Sequence, residues 1–240
     1  FGLNRDKLEE APKGALVTVS GILEQRTSAK DEPFVEVKTR VLRLHARPKG
    51  YDPSEGKEAL AAWLKRPGNN VTSEAARRRG TWTHSQIEAW IRGEPTQKSF
   101  AFGAYWRNVR PWLEQHFVEA LAIEKAVWPP RGFAGTLDCL GYCTWGEHPD
   151  ALAIMDWKTS QRQRSGALLD DYFAQLGAYR MAAAYTYGIT ATRGVLVIAR
   201  PHAGGPDVHE LSPQQLDAAE AAFLRRLDAY YAMPDDTVAP

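Results

Sequence analysis

Ala151-Leu152-Ala153-Ile154-Met155-Asp156-Trp157-Lys158 is an apolar run that closes on two opposite charges. Alternation along a strand places Leu152, Ile154, Asp156 and Lys158 on one face and Ala153, Met155 and Trp157 on the other. Both faces are apolar until the end, which marks a strand covered on both sides. Charges at the mouth of such a strand are costly unless paired or bound to something. An Asp–Lys ion pair closing the strand would account for this triplet by itself.

The neighbouring sequence adds a second acid. Phe133–Thr144 reads as a strand, and Gly146, Pro149 and the polar residues around them join it to Ala151–Lys158 as an antiparallel hairpin. Asp138, in Gly135-Thr136-Leu137-Asp138, lies about as far from the bend as Asp156 does, so the two carboxylates can face each other. Like charges placed opposite one another destabilise a sheet unless a cation sits between them. Two carboxylates plus water are what a hard divalent cation accepts. Glu124, on a preceding strand read over Leu121–Trp128, could add a third carboxylate or orient a metal-bound water.

Upstream, Thr72 or Ser73 can cap a helix running to about Arg92, with Gly93 and Pro95 as its stop. His84 shares a stripe with Ile87, Glu88 and Ile91. A buried histidine satisfied by Glu88 or by backbone is one reading. A nitrogen ligand completing the Asp138–Asp156 site, its ring oriented by Glu88, is the other. Ser99 opens a second helical stretch through about Ala120, which Pro111 would kink or break. Downstream, a long helix over Ala167–Tyr187 ends at Gly188 and carries Gln175 and Tyr179 on the face of Leu168 and Tyr172. That pair is either a polar tip toward solvent or a hydrogen-bonded couple beside a metal. Gly194–Arg200 and Val208–Leu211 read as strands and Pro213–Tyr231 as a final helix.

The first 70 residues are less legible. Ala15–Leu23 is an apolar stretch, Phe34–His45 has no clean period, and Lys57–Lys65 reads as a short helix. Strands flanked by helices predict an α/β layered core. Residues 1–120 would form an N-terminal region with a helical subdomain, and residues 121–240 the core, together one structural unit.

Composition limits the function less than the motifs do. The chain has 240 residues, 44% of them hydrophobic and 25% charged, enough apolar surface for a real core. Thirty basic residues against 29 acidic ones leave a net charge of +1, so charge gives no case for a nucleic-acid ligand. A near-neutral total suits a cytoplasmic bacterial or phage protein and a mitochondrial one alike. The two cysteines, Cys139 and Cys143, cannot complete a four-cysteine zinc site or hold an iron–sulfur cluster. Four residues apart on one strand they stand roughly 13 Å from each other, too far for a disulfide, and read as small buried apolar side chains. No run approaches membrane-spanning length.

Taken in order, Glu124, Gly135-Thr136-Leu137-Asp138, Asp156-Trp157-Lys158-Thr159-Ser160 and Gln175-x-x-x-Tyr179 resemble the PD-(D/E)XK nuclease superfamily. Gly80-Thr81-Trp82-Thr83-His84 resembles the histidine-bearing motif of its RecB-like branch. Within that branch the likeness is to phage exonucleases and the mitochondrial genome maintenance exonuclease. It spans about residues 15–190, with residues 25–60 poorly matched.

The resemblance implies a restriction-endonuclease-like core, a central mixed sheet between helices. It also implies Mg2+ or Mn2+ and cleavage of DNA phosphodiesters. His84, Asp138 and Asp156 would hold the metal with the backbone carbonyl of Trp157, and Lys158 would position the attacking water. Glu124 would be a supporting acid, with Gln175 and Tyr179 completing the motif. An imidazole ligand favours activity with manganese. The four cysteines that hold an iron–sulfur cluster in some RecB-like nucleases are missing here.

Thr159, Ser160, Arg162 and Arg164 would meet the substrate, and Arg77, Arg78 and Arg79 could extend a phosphate track. Tyr105, Trp106, Arg107, Arg110 and Trp112 suit stacking on unpaired bases, though Tyr105, Trp112 and Phe117 would equally serve as core. The reading is an exonuclease acting on single-stranded DNA ends, as a monomer. Double-strand exonuclease, structure-specific endonuclease or nickase, and silent DNA-binding module are the alternatives.

Overall fold

The computed structural model describes residues 17–18, 23–27, 33–37, 74–145, 148–202 and 204–232. Strands β1 (Val17–Thr18), β2 (Leu23–Thr27) and β3 (Pro33–Val37) come first, then helices α1 (Glu74–Ile91) and α2 (Gly103–His116). Strands β4 (Phe117–Val127), β5 (Phe133–Trp145) and β6 (His148–Thr159) follow, then helix α3 (Ala167–Tyr187). Strands β7 (Arg193–Ala199) and β8 (Asp207–Leu211) and helix α4 (Pro213–Tyr231) close the order.

Six of these strands form one mixed sheet. β4, β5 and β6 run antiparallel in succession, β6 and β7 are parallel, and β8 returns antiparallel to β7. β1 pairs in parallel with the start of β5, while β2 and β3 make a separate two-stranded ribbon. The parallel step from β6 to β7 needs a crossover, and α3 supplies it.

Helices cover both faces of the sheet. On one, Leu140, Ile154, Leu196 and Ile198 pack against Leu176 of α3 and Leu216 and Phe223 of α4. On the other, Cys139, Met155, Trp157 and Val197 pack against Ile87 of α1 and Val109 and Leu113 of α2. Double coverage explains why β6 and β7 read as continuous apolar runs rather than alternating ones. The architecture is therefore α/β, a mixed sheet flanked by helices with a helical region ahead of it.

Local signals locate most boundaries. Gly188 ends α3 in the left-handed region at φ 70°, where its missing Cβ removes the usual penalty. α4 opens with a capping box, Ser212 and Gln215 each satisfying the other's backbone N–H, with Pro213 in its first turn. At Gly177 an added Cβ would lie 2.4 Å from the backbone nitrogen of Glu220, so α3 and α4 touch main chain to main chain. A buried Arg226–Asp171 ion pair of 3.0 Å joins the same two helices.

One boundary differs from the reading. The helix expected through Ala120 stops at His116, and β4 begins at once with Phe117. No Gly or Pro marks the change, and Phe117 continues the i,i+4 spacing from Leu113, so the periodicity carries past the true end. Pro111 sits inside α2 at an exposed position without ending it. The Thr72/Ser73 cap, the Lys57–Lys65 helix and most of Ala15–Leu23 and Phe34–His45 lie outside the described residues. Cys139 and Cys143 are free and buried, and burial pushes both thiols up, Cys143 to about 11. Among the described residues no helix is long and apolar enough to cross a membrane.

Candidate active site

Pairing between β5 and β6 runs from Trp145↔His148 to Cys139↔Met155. One step further, the same register sets Asp138 opposite Asp156. There the ladder gives way to a side chain: the Trp157 N–H donates to Asp138 Oδ2 at 2.8 Å. β5 stays paired to β4 as far as Val127↔Gly135, and β6 to β7 as far as Thr159↔Ala199. Each strand thus keeps its outer partner where the contact between them is taken over by a carboxylate.

His84 of α1 reaches this place from the α1–α2 layer. Its Nε2 lies 2.7 Å from the Trp157 carbonyl oxygen, which can only accept, so Nε2–H is the donor. Nδ1 is left facing the acids, 3.7 Å from Glu124 Oε1 and 3.7 Å from Asp138 Oδ2. Burial alone would lower the imidazole pKa, but Asp138 and then Glu124 outweigh it and raise it to about 9. The pocket is an electrostatic well for positive charge. One ligand atom each from His84, Glu124 and Asp138 lies within 4.8 Å of the others. That spacing suits donors around one cation, since bonds of roughly 2.0–2.6 Å place ligands at most about 5 Å apart.

Glu124 has an unusual backbone. It stands between Ile123↔Cys139 and Lys125↔Leu137, hence opposite Asp138, with φ at 49°. A non-glycine residue there costs about 1–2 kcal/mol. Such strain gathers where a side chain is held for a purpose.

Asp156 and Lys158 form a second group. Asp156 is 0% exposed and ion-paired through Oδ2 to Lys158 Nζ. Its Oδ1 is buried without a hydrogen-bond partner. Burial lifts the Asp156 carboxyl to about 6, against the pull of Lys158. Lys158 is itself raised, because Asp156 and Asp138 outweigh the effect of its burial. The ring of Tyr172 on α3 stands 5.5 Å from Lys158 Nζ, within range of a cation–π contact. Gln175 Nε2 donates to the Tyr179 hydroxyl at 3.1 Å, both residues buried.

The structure brings some of the residues read from the sequence together and keeps others apart. Glu124 completes the ligand-range set with His84 and Asp138, whereas Asp156 stands outside it, paired to Lys158. The Trp157 carbonyl is occupied by His84. Glu88 does not orient that ring; it pairs with Arg92 at 2.7 Å, one helical turn on. Ser160 is buried, and its hydroxyl closes a local turn with the backbone of Arg162 instead of facing a substrate. Thr159 Oγ1 accepts from Arg79 Nε at 3.1 Å, and the Arg79 guanidinium lies 5.2 Å over the Tyr105 ring. Arg79 is therefore fastened to the end of β6, while Arg77, Arg78 and Arg162 are exposed and Arg164 is half-buried. Tyr105 and Trp106 are core, and Trp112 is half-buried against Trp157 and His116.

Two residues went unread. Tyr172 was placed on the right face but given no partner. Asn108 carried only the faint signal of a polar residue inside a helix. Its amide donates to the His202 carbonyl and accepts from the Arg200 N–H, both at 2.9 Å, clipping α2 to the turn after β7.

The His84 imidazole and the carboxylates of Glu124 and Asp138 are a donor set that could hold a metal ion. Neither a protein family nor a curated protein matches the chain. A solved structure from Eubacterium rectale, titled as that of a "putative exonuclease", is similar over 74% of this chain and 73% of its own, at 10% identity and a TM-score of 0.39.

Proposed function

We propose that this chain is a metal-dependent deoxyribonuclease of the PD-(D/E)XK type that works as an exonuclease on single-stranded DNA ends. The observation that carries the reading is the convergence of His84 Nδ1, Glu124 Oε1 and Asp138 Oδ2 on one small volume next to the buried Asp156–Lys158 pair. A merely structural site has no use for three carboxylates gathered beside one lysine.

His84, Glu124 and Asp138 would hold a divalent cation, with Asp156 close enough to feel Asp138 and His84 electrostatically. The cation would supply charge neutralisation to a phosphate oxygen. Asp138 is fixed by the Trp157 N–H, and His84 by the Trp157 carbonyl, so both donors are oriented before any substrate arrives. The Lys158 ammonium, held by Asp156 and covered by the Tyr172 ring, donates to the oxygen on which negative charge develops. Gln175 and Tyr179 support that wall from α3. Arg79, anchored on Thr159 and Tyr105, offers its remaining guanidinium N–H groups to a neighbouring phosphate.

Digestion of end-labelled oligonucleotides with Mn2+, and in parallel with Mg2+, tests this. A linear single strand should shorten from an end, faster with Mn2+, while its covalently circular form survives. Equal cutting of the circle would make the enzyme an endonuclease, and no metal-dependent cutting of either would remove the nuclease reading.

A further inference from the structure

The parallel pairing of β6 and β7 has a consequence beyond the catalytic cleft. Thr159 pairs with Ala199, and the Ser160 N–H donates to the Ala199 carbonyl, so the chain leaving β7 emerges at the same end of the sheet as Lys158. That chain, the turn into β8, faces α2 across an open groove of about 650 Å3. Arg107, Pro111, Trp112 and Gln115 line it from the helix, at spacings that put them on one stripe. Pro201 and His202 line it from the turn.

Three features give this groove a ligand class. Its walls combine an indole and proline rings with one exposed guanidinium, and no acid is among its described lining residues. The turn is braced, because Asn108 spends its amide on the Arg200 N–H and the His202 carbonyl and Arg200 pairs with Asp207 at 3.0 Å. The groove is also continuous with the catalytic layer: Trp112 meets the Trp157 ring edge-on at 6.3 Å, and the peptide of Trp157 holds both His84 and Asp138.

We propose that the groove between α2 and the β7–β8 turn is a second binding site for unpaired nucleotides, gripping the substrate strand outside the cleavage position. Bases rest against Trp112 and the prolines, and a phosphate meets the Arg107 guanidinium and an N–H of the His202 ring. A groove of this composition tolerates any base, since aromatic contact and charge carry no sequence information. The proposal rests on the nuclease reading for its substrate, but binding tests it separately from cleavage.

Labelled oligothymidylates of three and of about fifteen nucleotides, titrated with the full-length chain without metal and then cleaved with Mn2+, decide it. Arg107→Glu and His202→Glu, both at exposed positions, should each weaken binding of the longer strand about tenfold and flatten its salt dependence by about one phosphate. The trinucleotide, too short to fill cleft and groove together, should lose less affinity and less cleavage in these variants than the longer strand does. Trp112→Phe, which keeps an aromatic core contact, should lower crosslinking of a photoreactive base to α2. Wild-type affinity of both charge variants for the longer strand overturns the groove, as does failure of the unmodified protein to bind that strand. Binding that responds to these variants without any cleavage keeps the groove and removes the nuclease.

Discussion

The β5–β6 hairpin has two halves with opposite physics. From Trp145↔His148 to Cys139↔Met155 the strands hold each other by a regular ladder, and Leu140, Ile154 and Met155 are fully buried. Beyond that point the same strands carry Asp138, Asp156 and Lys158, and a carboxylate stands in for a carbonyl as the partner of Trp157 N–H. The first half stabilises the chain through burial. The second spends stability on desolvated charge and a carboxylate oxygen without a hydrogen bond, with a strained Glu124 opposite it on β4. The comparison teaches that the site is not an addition to the fold: it begins where the ladder stops.

The sharpest way to break that contrast is at Asp138. Asp138→Ala should lower metal-dependent cleavage by about a thousandfold or more, and destabilise by about 1–3 kcal/mol because the Trp157 N–H loses its acceptor. Asp138→Asn keeps an acceptor oxygen and should lose the cleavage while retaining most of the stability. Turnover and urea unfolding on the two variants separate the roles; equal stability loss in both would mean that the hydrogen bond does not matter.

Lys158→Ala should also abolish cleavage while leaving DNA binding measurable. It should cost about 3 kcal/mol, since Asp156 is left buried without its counter-charge. Replacing both at once, Asp156→Asn with Lys158→Met, should recover most of that stability but none of the activity. A double variant as unstable as the single one would show that the pair is not the source of the cost.

In the ladder half, Leu140→Ala should cost about 3 kcal/mol with its Mn2+ affinity unchanged. Coupled loss of metal binding, followed by calorimetry, would erase the distinction between the halves. The smallest effect belongs to Glu124→Gly, which removes the left-handed penalty. It should raise stability by about 1 kcal/mol while weakening metal binding, the direction expected where strain serves function. A fall in the unfolding midpoint would show that the Glu124 backbone stores no strain.

Much of this was legible because strand alternation and turn residues act locally. The hairpin register that sets Asp138 opposite Asp156 and the long α3 with its glycine stop follow from spacing, which also puts Gln175 and Tyr179 on one face; their hydrogen bond decides between the two readings of that pair. What failed depended on distance in the third dimension. His84 does approach Asp138 as its place on the helix suggests, but its ring is oriented by the Trp157 carbonyl and not by Glu88, which pairs with Arg92. That Glu124 lies nearer His84 and Asp138 than a strand reading can tell reflects its strained backbone, since alternation gives a face and not the reach of a side chain. The end of α2 was hidden because Phe117 satisfies a helical and an extended pattern equally well.

Trp157 serves the cleft with its peptide and the core with its ring. Its peptide N–H steadies one carboxylate and its carbonyl steadies the imidazole, while its indole fills the layer beneath α2. The wiring between the acids and the histidine therefore runs through main-chain atoms that every amino acid except proline possesses. Exchange of the indole for another bulky ring should loosen the helix above without rerouting a single contact of the cleft. At this position the chemistry depends on where the backbone goes, and the letter written there answers only to the packing.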